Sequence, residues 1–191
     1  MDDLKEEKTK SAFTEKELNA GDLTFHYWGA LEYLVGLIKS SELKAGLILS
    51  FFGIIFNFVY QNVESAKESL AQYNFLYALL FLWLVSTLIS IYHSVKTFIP
   101  RIEKDYDPNL FFFGDIVSKF GNIKEFSKTF LKDTIDKEKI YDQIGQQIYI
   151  NAKITAIKFK SVNTSIKYLI YSLVVLLLLI LSEIIIMLFF K

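Results

Sequence analysis

The chain has 191 residues, no cysteine, and 21 Lys+Arg against 21 Asp+Glu. It can therefore build no disulfide framework, thiol nucleophile or cysteine zinc site, and with zero net charge it carries no bulk attraction for nucleic acid. Hydrophobic residues make up 52%, above the usage of soluble domains, and they gather into three blocks, 45–60, 73–92 and 168–190.

The first 17 residues include ten charged ones and show no apolar pattern, so 1–21 reads as a mobile tail. Its start, MDDLKEEKTK, lacks the apolar core of a secretory signal. Asp22 can cap a helix in which Leu23, Tyr27, Ala30, Leu31, Leu34 and Ile38 form one stripe. This amphipathic helix, 22–44, either packs on the central segment of the chain or lies on lipid; its scarcity of lysine favours packing.

A bilayer span needs about 20 mostly apolar residues. Block 168–190 meets this easily, and 73–92 meets it with a few tolerated Ser, Thr and Asn residues. Block 45–60 is short unless Leu43 and Val63 extend it. Tyr60, Tyr73, Tyr92 and Tyr168 stand at span ends, as aromatic belts do, and Lys44 can snorkel to lipid phosphate. The loop 61–72 holds Lys67 alone, whereas 94–167 holds thirteen Lys and Arg. The positive-inside rule then places 94–167 and the N-terminus in the cytoplasm, with 61–72 and Lys191 outside.

After the second block, Pro100 and Pro108 bracket a turn-rich connector, RIEKDYD. PNLFFFGDI, residues 108–116, follows. Three adjacent phenylalanines cannot share one face of a helix or strand. Gly114 permits a tight turn or a close backbone approach, and Asp115 can cap a helix beginning IVSKF. The stretch is either a hydrophobic plug, meeting the 22–44 helix and the Ile150, Ile154 and Ile157 face, or the wall of a ligand pocket. In the pocket reading, Tyr27, Trp28, Phe112 and Phe113 stack on a base, and Lys153 and Lys160 contact phosphate. The alternative for those lysines, which recur with Lys167 every seven residues, is a solvated or lipid-facing stripe. Residues 117–143 read as two short helices, split near Gly121 and again near Asp133. From about Asp136 a helix resumes and, with no Gly or Pro after Gly145, continues unbroken through 168–190. The expected fold is an all-α membrane protein, with three transmembrane helices and a helical cytoplasmic module.

Catalytic chemistry is hard to place. His26 and His93 lie 67 residues apart. The chain has no GxGxxG or GxxxxGK loop and no GxSxG. Asp105/Asp107 and Asp133/Asp136 sit in charged surroundings and read as solvated. Lacking a convincing set of nucleophile, base or metal ligands, the chain reads as non-enzymatic. Glu183 is the only formal charge inside a span, which makes it a functional candidate by default. It is either an outer-leaflet interfacial residue or part of a polar seam between copies of this helix, facing Ser182 or Asn57.

Three elements recur in order. Glu42-Leu43-Lys44-Ala45-Gly46 precedes the first span, Phe112-Phe113-Gly114-Asp115-Ile116 follows the second, and Lys167-Tyr168 precedes the last. With this order and spacing the chain resembles, over about 25–185, the transmembrane effectors of Pycsar antiphage systems; Glu42 stands where that pattern is expected to hold aspartate. The resemblance implies a protein of the bacterial inner membrane, functionally linked to a cyclase that makes cyclic UMP or cyclic CMP. It also implies that this cyclic pyrimidine nucleotide is the signal ligand, with no other cofactor, and that the protein assembles and damages the bilayer during phage infection. A homo-oligomer is expected because three spans enclose no conduit by themselves. The residues alone leave two rivals open: a scaffold anchoring a cytoplasmic partner, and a small channel or transporter subunit. Against the transporter, no paired repeats are visible.

Overall fold

A computed structural model of the chain describes residues 20–99 and 107–189. The tail expected at 1–21 and the connector expected at 101–107 lie, except for their last residues, outside the described part. The regular structure is helical throughout: α1 Ala20–Gln72, α2 Asn74–Phe98, α3 Phe113–Ser118, α4 Ile123–Ile135 and α5 Lys137–Phe189.

Two boundaries differ from the sequence expectation at the first helix. Asp22 does not precede α1 but sits in its first turn, where a carboxylate meets the positive end of the helix dipole. The expected loop 61–72 is helical to Gln72. That segment contains no proline or glycine and many strong helix formers, and the Lys67–Glu64 ion pair at 2.7 Å joins adjacent turns. The break falls at Tyr73, whose backbone is extended (φ −122°, ψ 99°). Because α1 continues past both ends of 45–60, the short first block lies in a helix that can span. Helical segments Asp22–Glu64, Asn74–Phe98 and Lys137–Phe189 are each long and apolar enough to cross a membrane.

The chain divides into two compact units. The span unit is Leu37–Arg101 with Thr155–Lys191. Its apolar core is Ile48, Phe52, Ile55, Trp83 and Val175, with Phe56 set edge-on to Trp83 at 6.1 Å. Much of the remaining interior is hydroxyl: Ser86, Thr87, Ser90, Ser94 and Thr97 of α2, with Ser161, Ser165 and Ser172 of α5, are buried. Leu47, Ile54, Phe81, Leu88, Leu177 and Met187 are exposed instead. A water-soluble bundle has the reverse pattern. In hydrocarbon no hydrophobic force drives helices together, so small side chains that admit close backbones and hydrogen-bond across the contact take over.

The second unit is Met1–Gly36 with Ile102–Ile154. Leu110 and Ile144 are its most buried apolar residues. A chain of rings runs Trp28, Phe111, Phe130, Phe126, Phe120, with centroid spacings of 5.6, 6.2, 5.6 and 5.9 Å. Gly121, at φ 73°, turns the chain into α4, which Asn122 and Glu125 close with a reciprocal capping box. The split expected near Gly121 is therefore present. The second split falls at Asp136 rather than Asp133. Asp136 is extended (φ −82°, ψ 102°) and its carboxylate accepts the Lys139 N–H at 3.3 Å. Asp133 stays helical and pairs with Lys139 at 3.7 Å. From there α5 runs unbroken to Phe189.

Candidate functional site

In the span unit, the segment Ser41–Gly46 brings three helices together. Ser41 is buried and donates to the Leu37 carbonyl at 3.0 Å. Ala45 is fully buried. A methyl at Gly46 would stand 3.6 Å from the Phe98 ring, and the Lys44 ammonium lies 5.6 Å from the Phe159 ring centre.

Glu42 accepts a hydrogen bond from Lys158 Nζ at 2.6 Å, and the same ammonium donates to the Thr97 carbonyl at 2.6 Å. The Lys158 side chain is 6% exposed and that of Glu42 37%. Thr97 lies one residue from the end of α2, so its carbonyl is one of the last four that have no partner within the helix. A cation placed there also meets the negative end of the helix dipole. One ammonium thus holds α1, α2 and α5 through two charge-assisted bonds, the strong class of hydrogen bond. A buried charge without such partners would cost several kcal/mol (order of magnitude).

Beyond this cluster runs a seam of hydroxyls. Ser94 and Ser165 share a hydrogen bond of 2.7 Å. Ser90 Oγ donates to the Ser165 carbonyl at 2.8 Å, and Ser165 Oγ donates back to the Ser90 carbonyl at 2.8 Å. Thr87 and Ser172 bond at 2.8 Å. Mutual side-chain-to-backbone bonds need two helices close enough that only small residues fit between them. Two buried ring nitrogens of α2, Trp83 Nε1 and His93 Nδ1, have no hydrogen-bond partner among the described residues.

In the second unit, the PNLFFFGDI stretch is held by amides. Asn109 is buried. Its N–H donates to Asp115 Oδ2 at 3.0 Å, its Oδ1 accepts from the Phe111 N–H at 2.9 Å, and its Nδ2 donates to the Gln143 carbonyl at 2.8 Å. Gln143 answers from α5, accepting from the Leu110 N–H at 2.8 Å and donating to the Pro108 carbonyl at 3.3 Å. Asp115 therefore does not cap a helix beginning at Ile116. Its carboxylate is taken by Asn109 and by Lys119 at 3.2 Å, and α3 already starts at Phe113 behind an extended Phe112.

The rings separate as three adjacent phenylalanines must. Phe111 meets Trp28 and Phe130, whereas Phe112 and Phe113 meet each other at 5.0 Å. The close approach expected at Gly114 is made by its own neighbour: a methyl there would stand 2.7 Å from Phe112. Tyr27 packs on Tyr141 at 5.2 Å, and the Tyr141 hydroxyl lies 3.1 Å from Thr24 Oγ1.

The aromatic candidates named from sequence thus fall into two groups. Tyr27 and Trp28 are seated on Tyr141 and Phe111, with Trp28 still 44% exposed. Phe112 and Phe113 form their own pair, and Phe113 is 72% exposed. Lys153, in this unit, and Lys160, in the span unit, are both exposed. In the span unit, Asn57 is exposed and accepts from Gln61 at 3.4 Å. Glu183 is half-buried, and Ser182 spends its hydroxyl on the Leu178 carbonyl at 2.8 Å.

Sequence reasoning missed Lys158, Ser90, Ser165, Asn109, Gln143 and Phe111. A signal for the seam was present: Ser86, Ser90, Ser94 and Thr97 recur at helical spacing through the end of the second apolar block and just beyond it, opposite Lys158, Ser161, Ser165 and Ser172 at matching spacing. Among the described residues no group of three or more His, Cys, Asp or Glu is placed to hold a metal ion.

A family model described as the Pycsar effector protein domain matches residues 26–185. No curated protein and no solved structure matches the chain. The matched range covers the Lys158 cluster, the hydroxyl seam and the Asn109–Gln143 turn, and it takes in most of the 191 residues. The chain belongs to the Pycsar effector family.

Proposed function

We propose that the protein is an antiphage effector of the bacterial inner membrane, which senses a cyclic pyrimidine nucleotide, cyclic UMP or cyclic CMP, then self-assembles and impairs the bilayer. The observation that carries this reading is the family domain over 26–185 in a chain with three helices able to span. The seam between those helices supports it. Interhelical hydrogen bonds in bilayers contribute only about 0.6 kcal/mol each, because alternative partners are available. A bundle joined by hydroxyls has other packings close in energy, so a ligand with modest preference for one packing can shift the population.

On this reading 94–167 and the N-terminus face the cytoplasm, where a partner cyclase supplies the signal. Trp28 and Tyr27, with Phe112 and Phe113, offer ring faces to the base. Lys153, in the same unit as these rings, offers charge to the phosphate. Glu183 and Asn57 act in assembly between copies. The test is membrane potential in cells that express the protein together with a source of cyclic UMP or cyclic CMP. Depolarisation only when the nucleotide is made is the expected result. Silence in every condition would favour a scaffold, and depolarisation without nucleotide a constitutive channel.

A further inference from the structure

Helix α4 carries an apolar arc wider than its unit covers. Phe126 and Phe130 are the covered part, packed on Phe120 and Phe111. Ile123, Leu131 and Ile135 continue the arc around the helix and are 88%, 65% and 75% exposed. Lysine borders the uncovered part. At 100° per residue, Lys124 and Lys128 project on the same side as Leu131 and Ile135, and Lys132 lies beside them. The two acids of α4 are already engaged, Glu125 in the capping box and Asp133 with Lys139. Among the described residues none of Lys124, Lys128 and Lys132 has an ion-pair partner.

We infer that this face of α4 docks on an anionic lipid surface. Ile123, Leu131 and Ile135 enter the boundary between headgroups and acyl chains, and the lysine stems lie over them with their ammoniums at lipid phosphate. The charge matches an anionic leaflet. Such a leaflet is also within reach, because only 24 residues separate α4 from the spanning helix α2; a tethered helix sees its surface at high effective concentration. This docking does not depend on which nucleotide, if any, the protein senses.

The cysteine-free sequence allows a direct test with the full chain in nanodiscs. An environment-sensitive fluorophore is attached at Leu131→Cys, at Ser127→Cys (an exposed polar position on the same side that leaves every apolar residue in place), and at Glu138→Cys as a control. In discs of equimolar phosphatidylglycerol and phosphatidylcholine the first two labels shift to shorter wavelength relative to pure phosphatidylcholine, high salt reverses the shift, and the control stays unchanged. Lys124→Gln with Lys128→Gln weakens docking about 30-fold, at roughly fivefold per lysine near the surface. No difference between the two lipids, or an equal shift in neutral discs, would overturn the inference. So would a shift seen only in discs that hold two copies, or one abolished by deleting residues 1–19, since a second chain or the acidic tail would then be the occupant.

Discussion

Lys158 is one of four lysines between Lys153 and Lys167, yet it is the one that is buried. Lys153, Lys160 and Lys167 make a regular stripe, which drew attention in the sequence; Lys158 falls outside it and lines up with Ser161, Ser165 and Ser172. Replacing it by Met leaves the Glu42 carboxylate and the Thr97 carbonyl without their donor. Charge-assisted bonds of this kind contribute about 1.5–3 kcal/mol, and with Glu42 more than a third exposed the lower half of that range is expected. Lys160→Met should change stability by less than about 0.5 kcal/mol. Thermal unfolding in lipid micelles distinguishes the two, and a double-mutant cycle with Glu42→Gln should return a coupling energy only for Lys158. Ligand contact is a separate question at this scale. Base stacking on an aromatic side chain is worth about 1–3 kcal/mol. Trp28→Ala should therefore weaken binding of cyclic UMP or cyclic CMP by about 5- to 150-fold in titration calorimetry. Unchanged affinity would remove Trp28 from the site. Among the three phenylalanines the sequence reading chose Phe112 and Phe113, although a turn has no periodicity to rank them; the ring that meets Trp28 is Phe111, through tertiary placement.

Helices were legible where breakers are absent. The unbroken α5 follows from the lack of Gly and Pro after Gly145, and the break before α4 was marked by Gly121, whereas the cap made by Asn122 and Glu125 was not read from the sequence. A methyl at Gly121 would run into the Glu125 carboxylate, at a φ of 73° that L residues rarely adopt. Gly121→Ala should cost about 1–2 kcal/mol and Asn122→Ala about 1 kcal/mol, both seen as faster amide exchange in the first turn of α4. What the apolar blocks concealed was their polar lining. The Ser and Thr residues of 73–92 looked merely tolerable, whereas the structure makes them the contact between α2 and α5. Ser165→Ala, which removes hydrogen bonds but adds no volume, should cost little more than about 0.6 kcal/mol per lost bond. Ser165→Leu forces the helices apart and should cost about 1–3 kcal/mol, measured by unfolding in micelles. A smaller penalty for Leu than for Ala would contradict the close packing.

For the whole molecule, composition alone pointed to a bilayer, and charge asymmetry pointed to an orientation. A single-cysteine variant at the exposed Glu64 should react with a membrane-impermeant maleimide in intact spheroplasts, and one at Lys128 only after the membrane is opened. The opposite pattern would reverse the proposed topology. The proposed ligand recognition was the least legible feature, since no phosphate loop marks a nucleotide site. Glu183→Leu should reduce membrane disruption without lowering the amount of protein in the membrane; full activity in that variant would remove Glu183 from the assembly. The most direct measurement is dye release from liposomes containing the purified full chain. Release that rises with cyclic UMP or cyclic CMP, and not with cyclic AMP or cyclic GMP, is the expected result. Release that is equal without nucleotide, or absent with both pyrimidine nucleotides, would contradict a nucleotide-gated membrane effector.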